Sequence, residues 1–247
     1  MSKQNVYDNE VFFEGYQKIR ENKVNANILF EKPALFSLLP EVKELKILDL
    51  GCGYGENCKE FVKRGAAKVT GIDLSKKMLR IARLENSAPN IDFLNIPIED
   101  IACLDEKYDL IVSSLALHYV QDFASVCKNV HNLLNEKGLF VFSQENPLNT
   151  CFTKGDRWTR DGQGKKIYAN ISNYSVDGKR CSKWFVDEVI KYHRTFSSIV
   201  NTLGDSGFII QKVLEPYPSE ETIKKYPDYE DNLHKPDFLL IRAVRTK

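Results

Sequence analysis

The stretch KILDLGCGYG, Lys46 to Gly55, decides the fold. A short run, Ile47 to Leu50, apolar except for Asp49, leads without a break into glycines at 51, 53 and 55. A strand that empties into a glycine-rich turn lets the backbone approach a nucleotide at the carboxyl edge of an open α/β sheet. The residues beyond the turn decide which kind of nucleotide it takes.

Downstream, strand-like and helix-like segments alternate. Ala67–Leu74 (AKVTGIDL), Ile91–Ile96, Tyr108–Leu117 and Gly138–Gln144 read as strands. Between them, Cys58, Phe61 and Val62 mark a helix stopping at Gly65. Met78, Leu79 and Ala82 mark a second, capped by Ser75. Phe123, Val126, Val130 and Leu133 mark a third, closed at Gly138. This rhythm predicts a doubly wound, mostly parallel sheet covered on both faces. Upstream, Phe12, Phe13, Tyr16 and Ile19 predict an amphipathic helix over roughly residues 9–21, and another helix ends near Leu39. Glu145–Arg180 breaks the pattern. It is rich in Gly, Asn, Asp and aromatics, and reads as an inserted lid. Ser182–His193 looks extended, and Ile199, Val200 and Leu203 predict a helix ending at GDSG. Gly207–Pro216 and Asp237–Arg245 close the chain as strands. The polar link between them is too short for a buried crossover helix, so the pair is antiparallel.

Composition bounds the partners. With 247 residues, 43% hydrophobic and a net charge of +1, the chain carries no global field toward nucleic acid or anionic membrane. No apolar run reaches membrane-spanning length, and no basic cluster with interleaved aromatics is visible. The six cysteines form no CxxC pair, which argues against zinc and for reduced thiols in a cytoplasmic protein.

Two nucleotides compete for the turn. A nicotinamide dinucleotide fold shows G-x-G-x-x-G or G-x-G-x-x-A. Here Gly51, Gly53 and Gly55 give G-x-G-x-G, with Asn57 rather than a small residue two places on. Asp73, ending the second strand, suits a ribose in either case. Asp49, two residues before the first glycine, gives D-x-G-x-G, which resembles motif I of class I S-adenosylmethionine-dependent methyltransferases. GIDLS (71–75), YDLIVSSLALHYVQD (108–122) and NEKGLFVFSQENP (135–147) resemble that family's later blocks, especially its bacterial small-molecule subgroup. The similarity runs from about residue 45 to 245.

The resemblance implies a seven-stranded sheet of order 3-2-1-4-5-7-6 with the last strand antiparallel. It also implies an N-terminal helical cap (1–40) on a methyltransferase domain (41–247), with the lid at about 145–180. The cofactor is S-adenosylmethionine, the acceptor a small molecule, and no metal is required. Gly51, Cys52 and Gly53 would approach the cofactor's methionine and ribose, and Asp49 would orient the loop or hold the ammonium group. Asp73 would accept the ribose hydroxyls, and Leu74 and Met78 would cover the adenine. Pro97 replaces the family's usual acid, leaving the Ile98 N–H and the Glu99 carboxylate for the adenine edge. Ser113, Ser114 and Leu115 would line the pocket. Tyr16 and Arg20 on the cap would reach the sulfonium and the carboxylate. His118, Glu145 and His193 are the acid–base candidates, and Trp158, Tyr168, Tyr174 and Trp184 are candidate walls. A non-catalytic cofactor-binding protein and, more remotely, a nicotinamide oxidoreductase are the rival readings.

Overall fold

The computed structural model describes residues 5–22 and 24–246; the side chains of Ile19, Arg20, Glu21, Lys183 and Glu188 lie outside the described set. A 3-10 turn, Val6–Asp8, precedes α1 (Glu10–Glu21). The Asn9 side chain caps α1 by accepting from the Phe12 N–H at 3.1 Å. A π-helical turn, Asn27–Glu31, runs directly into α2 (Lys32–Ser37).

Strands and helices then alternate: β1 (Lys46–Leu50), α3 (Glu56–Lys63), β2 (Lys68–Ile72), α4 (Lys76–Glu85), β3 (Ile91–Leu94) and β4 (Tyr108–Ser114). Ser75 caps α4, as its position before an apolar periodic run predicts. Next come α5 (Phe123–Leu133) and β5 (Leu134–Glu145). The helix expected to close at Gly138 ends at Leu133 instead. Leu134 already pairs with Tyr108, and the ladder resumes at Leu110 and Leu139 across an irregularity where Lys137 takes φ 60°.

The insertion comprises α6 (Pro147–Thr150) and two antiparallel hairpins, β6 (Trp158–Arg160) with β7 (Lys166–Ala169), and β8 (Gly178–Trp184) with β9 (Val186–His193). It therefore extends to His193, beyond the expected boundary at Arg180. The chain ends with α7 (Phe196–Asp205), β10 (Phe208–Leu214), α8 (Glu220–Lys225) and β11 (Phe238–Arg245).

The main sheet has the order β3-β2-β1-β4-β5-β11-β10, with β11 antiparallel to both neighbours. Counting only its seven strands, this is the 3-2-1-4-5-7-6 order. Successive residues of β1 feed opposite cores. Leu48 and Leu50 pack with α5 and α7 residues such as Val126, Val130 and Leu203. Ile47 packs with Leu35, Phe61 and Leu79 on the other face. A strand buried on both faces needs apolar residues on both, which is why Ile47, Leu48 and Leu50 do not alternate with polar ones; Asp49, buried as well, is the exception.

Candidate functional site

The turn after β1 lies where the sheet order reverses, with β2 on one side and β4 on the other. Gly51 and Cys52 both donate to the Ile72 carbonyl at 2.9 Å, pinning the turn to the end of β2. Gly51 has φ 72°, and a Cβ there would stand 2.5 Å from the Ala116 Cβ. Gly53 differs. Its φ is 53°, and a Cβ would meet nothing within 4 Å, because it would project into open space. A cradle that only a side chain would fill is what a bound cofactor requires.

Asp73 sits beside this space. One carboxylate oxygen accepts from the Gly53 N–H at 2.9 Å and the other from the Ser75 N–H at 2.8 Å. Burial pushes its carboxyl up to about 6, against the pull of those amides. Asp49 lies beneath the turn, 1% exposed, and accepts from the Cys58 thiol at 3.3 Å. Burial, outweighing that contact, pushes it up to about 7.

A cavity of about 620 Å³ opens from the turn. Gly51, Cys52, Gly53, Asp73, Leu74, Met78, Ile98, Glu99, Ser114 and Leu115 line it. Two expected members do not. Asp49 supports the loop from below, and Ser113 is buried with its hydroxyl donating to the Leu50 carbonyl at 2.9 Å. Strand alternation explains the latter: Ser114 faces the cavity, so Ser113 points the other way. Ile98 opens a 3-10 turn after Pro97, so its N–H has no partner within that turn. Leu115 takes φ 53° and donates to the Ser143 carbonyl and hydroxyl at 3.1 and 3.0 Å. A non-glycine residue in this region at a cavity wall is strain of the kind functional sites carry.

The N-terminal segment roofs the cavity with Val6, Tyr7 and Tyr16. Asp8 holds it down, accepting from the Ser75 hydroxyl at 2.6 Å, the Lys77 N–H at 3.2 Å and the Asn5 amide at 2.7 Å. Burial alone would raise the Asp8 carboxyl, but these bonds win and lower it. Tyr7 meets Tyr16 and Tyr119 edge-on, with centroids 5.3 and 6.2 Å apart. Trp184, at the tip of β8, meets Phe12 and Tyr16 edge-on at 5.2 and 6.3 Å. Of the four expected aromatic walls, only Trp184 lines the cavity. Trp158 packs beneath Lys166 and Lys235, and Tyr174 packs on His193. The side chain of Arg20, expected to pair with the methionine carboxylate, lies outside the described residues.

The acid–base candidates are placed differently from one another. His118 and Glu145 line the cavity. The Glu145 N–H donates to His118 Nδ1 at 3.3 Å, and burial pushes the imidazole down to about 4. The Glu145 carboxylate pairs with Lys191 at 2.5 Å. Burial works against its ionisation, but the carboxyl is held below its ordinary value, with the charge and hydrogen bond of Lys191 acting in that direction and the neutral His118 ring adding no charge. His193 is fully buried away from the cavity, between the Thr150 hydroxyl and the Tyr174 carbonyl, each at 2.8 Å. Its two ring nitrogens bind α6 and the chain leading into β8. Glu31, Tyr7 and Tyr119 line the cavity without having been marked as site residues by any motif. Tyr119, in the YDLIVSSLALHYVQD block, reads from the sequence as a packing residue; it packs on Tyr7 and also lines the cavity.

This is the architecture of a nucleotide-cofactor site at the switch point of a doubly wound sheet. Residues 48–142 match the Methyltransf_11 family, described as a methyltransferase domain. A crystal structure of an S-adenosylmethionine dependent methyltransferase from Mesorhizobium loti is 38% identical over 90% of this chain and 98% of that one, with a TM-score of 0.81. A crystal structure from Listeria monocytogenes matches equally well: 38% identity, 88% and 97% coverage, TM-score 0.82. An uncharacterised protein of Haemophilus influenzae is 38% identical over the whole chain and 99% of its own length. The chain belongs to the S-adenosylmethionine-dependent methyltransferases. Its cofactor is S-adenosylmethionine, and the open cradle at Gly53 with the Asp73 carboxylate beside it fits that molecule. Among the described residues no helix is long and apolar enough to cross a membrane, and no cluster of His, Cys, Asp and Glu could hold a metal ion.

Proposed function

We propose that this enzyme transfers the methyl group of S-adenosylmethionine to a small-molecule acceptor by in-line displacement. The observation that carries this reading is the roof. The Val6–Asp8 turn, Tyr16 and Trp184 cover the cavity, which leaves room for a metabolite-sized guest rather than an open groove for a polymer. When bound, the cofactor supplies an electrophilic methyl group on a sulfonium.

The chain's own residues position and exclude. Asp73 would take the ribose hydroxyls, and the Gly51–Gly53 backbone would pass beside the ribose and methionine. Leu74, Met78 and Ile98 would enclose the adenine, with Glu99 at its edge. The aromatic roof keeps water from the reacting atoms, and such positioning can supply roughly 7–11 kcal/mol. His118 contributes a hydrogen-bond donor, and we read His193 as a tie within the insertion. Within the expected 1–40 cap, the described residues 5–22 and 24–40 act as the cap, and the β8–β9 hairpin, rather than the expected 145–180 segment, acts as the lid. All six cysteines are free, which supports a cytoplasmic setting.

The test is label transfer. The protein is incubated with methyl-tritiated S-adenosylmethionine and a bacterial extract divided into small-molecule and macromolecular fractions. Label should pass to the small molecules. Label found only on protein or RNA would overturn the reading.

A further inference from the structure

His118 offers the cavity a hydrogen-bond donor that has no partner of its own. The residue lines the cavity and is only 3% exposed. Its Nδ1 accepts from the Glu145 N–H at 3.3 Å, and a neutral ring bonded in this way carries its proton on Nε2. Among the described residues none accepts that proton. A buried donor left without a protein partner is a place for a guest to bond.

The ring belongs to a 3-10 turn, Leu117–Tyr119, past the carboxyl end of β4, and Glu145 ties it to the end of β5. The groups proposed for ribose and adenine, Asp73, Met78 and Ile98, belong to the β2–β3 side. The Gly51 turn, packed on Ala116, lies between the two. His118 therefore stands on the acceptor side of the reacting centre. The charges acting on its ring are Glu145, Lys191 and Arg194, two cations against one carboxylate. Lys191 pairs with Glu145 at 2.5 Å, and Arg194 donates to the Leu117 and Val120 carbonyls at the two ends of the turn. The unpaired N–H and the balance of these charges both favour an electron-rich partner.

We propose that the His118 Nε2–H orients the methyl acceptor by donating to a carbonyl or carboxylate oxygen that the acceptor carries beside its nucleophilic atom. The inference rests on the small-molecule methyl transfer proposed above. His118 is then a specificity-determining residue, and no proton changes hands at it. The oxygen it holds is not the atom that receives the methyl group, because a lone pair engaged by an N–H is held back from the sulfonium methyl. A protonated amine at this point has no lone pair to offer and sets N–H against N–H. A hydroxyl brings a proton of its own, which needs a further acceptor in a desolvated corner.

Two substitutions separate the donor from the rest of the ring. His118→Asn keeps an acceptor for the Glu145 N–H but does not reach the Nε2 position, whereas His118→Gln brings an amide N–H to that position. S-adenosylhomocysteine affinity should stay within about twofold of wild type in both. Transfer of tritium from S-adenosylmethionine to the small-molecule fraction of a bacterial extract should fall in His118→Asn. The fall should be about threefold to tenfold if the oxygen is a neutral carbonyl and more than about tenfold if it is a carboxylate. His118→Gln should keep most of the wild-type rate. With the labelled acceptor then purified, the KM for it should rise in His118→Asn while the KM for S-adenosylmethionine holds. Mass spectrometry should find a carbonyl or carboxylate in that acceptor, and anion exchange at neutral pH separates the two. Wild-type transfer in His118→Asn, equal loss in both variants, or an acceptor with neither group would overturn the proposal. Loss of S-adenosylhomocysteine affinity in folded His118→Asn would place the donor on the cofactor, and also overturn it. If wild type labels no small molecule at all, the methyl-transfer reading beneath it fails first, and this role falls with it.

Discussion

The backbone N–H of Glu145 donates to Nδ1 of His118 across 3.3 Å, and that one contact makes the imidazole a donor rather than a base. Burial depresses its pKa from 6.5 to about 4. A base held neutral in the fold opposes acid: its contribution is full above the unfolded value near 6.5 and is lost as pH falls toward 4. The stability difference between wild type and His118→Asn should therefore grow with pH across that window, by up to about 3 kcal/mol. Denaturant titrations at pH 4.5 and 7 measure it. A constant difference would show that His118 is not the neutral, buried group described.

Asp73 carries the opposite sign. Its folded pKa, about 6, lies above the ordinary 3.8. The stability it contributes to the free protein is full below about pH 4 and lost as pH rises through about 6. Ribose hydroxyls donate to the ionised carboxylate, so binding favours deprotonation. S-adenosylhomocysteine affinity should rise between pH 5 and 7.5, with proton release visible by calorimetry in buffers of different ionisation heat. Asp73→Ala should weaken binding by about 1.5–3 kcal/mol and flatten the rise. An affinity independent of pH in wild type would remove the ribose assignment.

The two cavity glycines should fail differently. Gly51→Ala drives a Cβ to 2.5 Å from Ala116 at φ 72°, so it should cost about 1–3 kcal/mol of stability. Gly53→Ala meets no atom and should cost about 1 kcal/mol from its φ of 53°. Its methyl group instead occupies the cofactor's space, so affinity should drop tenfold or more, about 1.4 kcal/mol. Thermal melts and calorimetry on both variants separate the effects. Normal cofactor affinity in folded Gly53→Ala would mean the cradle serves something else.

The roof is fastened at Asp8 and Trp184. Asp8→Ala removes the acceptor for Ser75, Lys77 and Asn5, in a half-buried setting worth about 1–2 kcal/mol. Trp184→Ala removes two edge-on contacts, about 1–3 kcal/mol together. Hydrogen exchange should show residues 5–22 losing protection in both variants, and methyl transfer should fall while β1–β5 stay protected. By contrast, trimming the β6–β7 tip, which does not line the cavity, should leave transfer intact. Equal damage from that trim would mean the whole insertion is the lid.

Much of this protein was legible in order along the chain. KILDL, the glycine turn, the Ser75 cap and the terminal apolar pair each express a local rule: burial on both faces, positive φ, a hydroxyl ahead of a periodic run, a polar link too short for a crossover. Those rules act between near neighbours, so the strands, their order by resemblance, and Asp73 beside the turn could be read directly. Tertiary structure alone decided what depends on distant partners. Glu31 meets Ser143 across 112 positions, and Asp8 meets Ser75 across 67. His118 is a donor because Glu145 turns its N–H toward it, and His193 leaves the cavity because Thr150 and Tyr174 hold both its nitrogens. A side chain's protonation and its view of the cavity are set by desolvation and by hydrogen-bond partners, and neither is a property of its neighbours in sequence.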